Sequence, residues 1–155
     1  MASYHWALLV GPKSDRKDDQ GTRYHAVNRM RADGRFAWSF EEKSISLLPT
    51  QMILVRVLIA KIEKSEELAR CLQGVAIRGG EEGWNCIAWV REALSSLEAS
   101  TSILGTSVVA WETVRHAALS YCKQKKDQHR FDGTGNFDIT KVPTFDLVQQ
   151  KETVE

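Results

Sequence analysis

Three residues join reactive side chains to informative positions: His5 in an aromatic and aliphatic stretch, His25 in a second β-type stretch, and Cys86 directly after Asn85. An imidazole exchanges a proton near neutral pH and a thiolate is a strong nucleophile, so the trio suits chemistry through a covalent thioester. Asn caps helix N-termini well, and Ile87, Val90, Leu94 and Leu97 recur at helical spacing, which sets Cys86 in a first helical turn. A thiol placed there beside an imidazole has its pKa drawn from ~8.5 into the range ~3.5–7.5. The same atoms admit other roles. A strand histidine is commonly structural, and cysteine is among the most buried residue types. Two imidazoles and a thiolate also match an open catalytic zinc site, although the chain has no Cys-x-x-C or His-x-x-x-His spacing. A non-catalytic binding domain is a third reading.

The elements that must position these residues are legible in outline. Residues 4–10 (YHWALLV), stopped by Gly11-Pro12, read as a short buried strand. Residues 22–29 and 35–41 return to β-type composition, the second alternating through Phe36, Trp38 and Phe40, so the three form an antiparallel meander. Alternation puts His5, Ala7 and Leu9 on one face and His25 with Val27 on one face of the next strand, making the histidines cross-strand or diagonal neighbours. The mixed-charge block 13–20 and the acidic, Gly-rich 79–83 read as loops that border the site. Residues 52–62 read as one long strand, Ser65 heads a short helix ending at Gly74, and 105–124 read as an amphipathic helix with a basic end. Little periodicity follows. The chain therefore divides into an α+β domain at 1–126, an antiparallel sheet packed by helices, and a C-terminal extension at 127–155 that is extended over it or partly disordered.

The blocks Tyr4-His5-Trp6-Ala7-Leu8-Leu9-Val10-Gly11, Tyr24-His25 and Asn85-Cys86-Ile87-Ala88-Trp89-Val90 resemble the lecithin:retinol acyltransferase-like proteins. The chain is also similar to small fungal proteins sharing the Tyr-His-Trp-Ala start. The first resemblance implies a permuted papain-like arrangement in which His5 is the base, His25 orients it and Cys86 forms an acyl-enzyme. Ile87 and Ala88 replace the acidic residue and histidine that many family members carry after the cysteine. The Cys86 backbone N–H is the expected oxyanion donor, with Tyr4 a candidate for the second. Tyr4 and Trp6 beside His5, and Trp84 beside Cys86, are the candidate substrate-binding residues; Trp84 and Trp89 can also be core.

Composition narrows the partners. The 155 residues suit one domain, and 21 Lys+Arg against 20 Asp+Glu leave a net charge of +1, no global field for a nucleic-acid backbone. No run nears the ~18 apolar residues of a membrane span. The chain thus reads as soluble, intracellular and cytoplasmic, with no stable membrane anchor, acting on a small soluble acyl or amide substrate. No cofactor or resident metal is expected. Cys71 and Cys122 fall in amphipathic segments and read as core, while His116 and His129 read as solvent-facing.

Overall fold

The structure, a computed structural model, describes residues 4–12, 20–48 and 53–155. The expected loop at 13–20 lies almost wholly outside the described residues, as does Met52. The described residues form a mixed α+β fold with antiparallel sheet pairing and three helices. β1 (Leu8–Val10), β2 (Gln20–Met30) and β3 (Phe36–Ser46) form the antiparallel meander in that order. Asp33-Gly34 sets its register: Gly34 takes φ 80°, a region that only glycine enters freely, and Asp33 Oδ1 accepts the Arg35 N–H at 3.0 Å. The pairing centred on this turn places His25 opposite Glu41 and Ala26 opposite Phe40.

Residues 53–62 differ from the single expected strand. They split into β4 (Arg56–Leu58) and β5 (Ala60–Ile62), which belong to different sheets. The chain changes partners at the junction, where the Leu58 carbonyl accepts from Leu147 and the Ile59 carbonyl from Val108. β4 pairs in parallel with β7 (Thr144–Asp146), which pairs antiparallel with β8 (Lys151–Val154); β5 pairs antiparallel with β6 (Leu104–Ser107). Among the described residues, this one parallel pair departs from a purely antiparallel sheet.

α1 (Ser65–Gln73) ends at Gly74 as expected, but Lys64 holds its cap position and supplies no side-chain bond, so Ser65 is the first helical residue and not a cap. α2 (Cys86–Ala99) begins where Asn85 and the apolar spacing placed it. α3 (Trp111–Asp127) starts later than the expected 105, because Leu104–Ser107 are drawn into pairing with β5. The core centres on α2: Trp89, Ala93 and Leu94 are fully buried, and Trp89 packs on Phe40 with ring centroids 5.8 Å apart. Leu68 and Leu72 of α1 and Val114 of α3 close over the helix.

Residues 127–155 are packed onto α3. Tyr121 donates its hydroxyl to Glu152 (2.5 Å), the buried Lys125 pairs with the same carboxylate, and Arg130 donates to the carbonyls of Asp138 and Lys141 at 2.9 and 2.7 Å. Buried cations are tolerated where such partners take up their donors.

Candidate active site

Extending the register Leu8↔Tyr24 backwards puts His5 opposite Val27 and diagonal to His25, although Tyr4–Ala7 precede the assigned strand. The two imidazoles meet edge to face, with His5 Nε2 and His25 Nδ1 at 2.7 Å. His25 Nε2 reaches Glu41 Oε1 at 2.9 Å. Glu41 also accepts from Arg29 at 2.5 Å and from Arg23 at 3.4 Å. Histidine, histidine and glutamate therefore form one hydrogen-bonded chain from the segment before β1 through β2 to β3.

The chain has a direction set by its carboxylate. The His25 hydrogen bond, aided by Arg29, holds the Glu41 carboxyl at a pKa of about 2, so it is ionised at neutral pH and only accepts. His25 is 3% exposed, and burial lowers its pKa against the opposing pull of Glu41. Neutral His25 must then carry its proton on Nε2 and present a lone pair at Nδ1. His5 donates Nε2–H to that lone pair, which leaves its own Nδ1 as a free acceptor. Burial, then the neighbouring His25 and Arg23, also lower the His5 pKa. His5 is exposed and His25 is not, so the outer imidazole is a solvent-accessible base with a fixed tautomer.

Cys86 is the first residue of α2 and 7% exposed. Asn85 Oδ1 accepts from the N–H groups of Ile87 (3.0 Å) and Ala88 (3.2 Å), so the side-chain cap leaves the Cys86 N–H unused. Among the described residues, no hydrogen bond joins Cys86 Sγ to either imidazole. Nor do any three His, Cys, Asp or Glu side chains among them converge to hold a metal ion, so His5, His25 and Cys86 do not form the zinc site that their types allowed.

The aromatic candidates have other neighbours. Tyr4 is half-buried, and the neighbouring Cys122 thiol of α3 raises its pKa. Trp6 packs on Trp111 at 5.5 Å, and Trp84 packs edge-on against Trp38 at 5.5 Å. Trp84 and Trp89 both bury an indole N–H that has no hydrogen-bond partner. Cys122 is buried and Cys71 half-buried, its thiol pushed up by burial, while His116 and His129 are exposed. A groove of about 540 Å³ runs beside α3 over Tyr121 and Phe145, and one of about 480 Å³ lies near Leu97 and Val109; neither is lined by His5, His25 or Cys86.

Glu41 is the site residue that reading the strands one at a time misses. Its signal lies in the turn: a hairpin centred on Asp33, in the three-residue loop Ala32-Asp33-Gly34, pairs position 25 with position 41.

An α+β chain with a carboxylate-anchored imidazole pair, its inner ring buried and its outer ring exposed, and a capped helix-start cysteine defines the class of site. The chain belongs to the family described as "Family of unknown function (DUF6914)", which matches residues 1–154. No curated protein and no solved structure matches it.

Proposed function

We propose that this chain is a cysteine-dependent acyltransferase or hydrolase of the permuted papain-like, lecithin:retinol acyltransferase-like kind, acting in the cytoplasm on a soluble ester, thioester or amide. The observation that carries the reading is the directed chain Glu41–His25–His5, which presents His5 Nδ1 as a proton acceptor. In the reaction, the Cys86 thiol proton passes to His5 Nδ1 while Sγ bonds to the substrate carbonyl carbon. The Cys86 N–H faces the developing oxyanion. Collapse breaks the bond to the leaving group, which takes the proton from His5. Water or a second nucleophile then gives a proton to His5 and attacks the thioester, and the C–S bond breaks as His5 returns that proton to Sγ. His25 and Glu41 stay in place as positioning residues, stabilising the charged His5 imidazolium as the carboxylate of a catalytic triad does. The proton transfer needs His5 Nδ1 within about 3 Å of Sγ, an approach that catalytic pairs often complete only with substrate bound.

A non-catalytic binding domain is the second reading, favoured by the burial of Cys86 and its missing hydrogen bond to His5. p-Nitrophenyl acetate separates the two. Acyl transfer expects an acetyl group on the Cys86 peptide by mass spectrometry, strongly diminished in His5→Ala and partly retained in His25→Gln. Absence of acetyl-Cys86, or acetylation unchanged in His5→Ala, favours the binding domain.

A further inference from the structure

The β2–β3 hairpin carries its apolar face past the core that the face serves. Tyr24, Ala26 and Phe40 point into the domain, and the same alternation continues to Met30 and Phe36, a cross-strand pair that is 65% and 68% exposed. The turn beyond is well tied, with Arg31 N–H on the Arg35 carbonyl at 2.8 Å and Gly34 N–H on the Arg31 carbonyl at 3.0 Å. Arg31 and Arg35 flank the apolar pair and are exposed. From 23 to 41 there are four arginines (23, 29, 31 and 35) against Asp33 and Glu41, a net +2 in a chain whose total is +1. The hairpin that ends in the two most exposed strand hydrophobics among the described residues thus carries a net positive charge.

We propose that this tip is a reversible docking finger for an anionic membrane surface. Met30 and Phe36 enter the headgroup boundary, and Arg31 and Arg35 lie against lipid phosphates. Peripheral attachment takes apolar insertion and basic charge together, and the tip presents both on one narrow end. A specific protein interface commonly covers ~800 Å² per partner, far more than two side chains offer. Single-stranded nucleic acid stacks on successive aromatic faces, and here Phe36 alone stands clear. His25 lies five residues back from Met30 and on the other face of the strand, about 17 Å along it, so a docked tip leaves the imidazole pair clear of the bilayer. The inference stands independently of the acyl-transfer reading.

Co-sedimentation of the full chain with phosphatidylcholine vesicles, with and without phosphatidylserine, tests it. Binding is expected only with phosphatidylserine and should weaken as salt rises. Phe36→Ser should lower the partition coefficient about tenfold or more, and Arg31→Gln or Arg35→Gln about fivefold each. Matched thermal melts show that these exposed substitutions leave the fold intact. Four results overturn the proposal: no binding to phosphatidylserine vesicles; undiminished binding by a Met30→Ser, Phe36→Ser variant; tight, salt-insensitive binding to neutral vesicles; or binding of an oligonucleotide, lost in Phe36→Ser, with vesicles ignored.

Discussion

Glu41→Gln probes the anchor of the imidazole pair without changing its size. The wild-type carboxyl is held at about 2 against an ordinary 4.5. A gap of that size corresponds to about 3 kcal/mol of folded-state stabilisation at most. Arg29, whose side chain is 63% exposed, is partly screened by water, so about 1–2 kcal/mol is expected to be lost. Because the folded-state pKa is depressed, this stabilisation is complete above the ordinary carboxylate range and fades as pH falls towards 2. Urea denaturation of both proteins should give a difference of about 1–2 kcal/mol at neutral pH that shrinks in acid. The substitution also removes the lock on the His25 tautomer, since an amide both donates and accepts. Ring-nitrogen NMR should show Nε2-protonated His25 in the wild type and a mixture in the variant. A stability difference that stays constant into acid, or an unchanged tautomer, refutes the reasoning.

Further outcomes follow from the cap, the buried lysine and the histidine shifts. Asn85→Ala removes two hydrogen bonds at the start of α2 and should lower stability by about 1 kcal/mol in thermal or urea melts. Lys125 is 1% exposed and paired with Glu152, so Glu152→Gln, which leaves a buried ammonium without its countercharge, should destabilise by about 3 kcal/mol. Lys125→Met should cost clearly less, and the reverse order contradicts the assignment. Burial holds both His5 and His25 below the ordinary histidine value of 6.5, so each is neutral above it and gains a proton only further into acid. The acid limb of Cys86 acetylation should therefore be centred below 6.5; an acid limb centred above 6.5 contradicts a depressed base.

The histidine pair is legible in the sequence because period-2 alternation and a short antiparallel connection are local rules, and they put His5 and His25 on one face. The Cys86 helix start was equally legible, since Asn85 is both the preferred cap type and the observed acceptor of two N–H groups. Glu41 was not, because its role depends on the register of β2 against β3, a tertiary fact encoded only indirectly in the Asp33-Gly34 turn. The break of 53–62 at Ile59 was hidden for a related reason: an apolar β-branched run is compatible with one strand or two, and distant Val108 and Leu147 decide which. Leu104–Ser107 shows the same override, where pairing to β5 removes residues from a helix that side-chain spacing alone would extend.

The central claim, that Cys86 is a nucleophile served by His5, is tested most directly by the alkylation rates of the three cysteines with iodoacetamide near neutral pH, in the folded wild type and in His5→Ala. The account predicts that Cys86 reacts fastest, ahead of Cys71, whose thiol burial pushes up, and ahead of buried Cys122, and that His5→Ala removes the advantage. Cys86 labelling no faster than the other two, or at the same rate without His5, would contradict it.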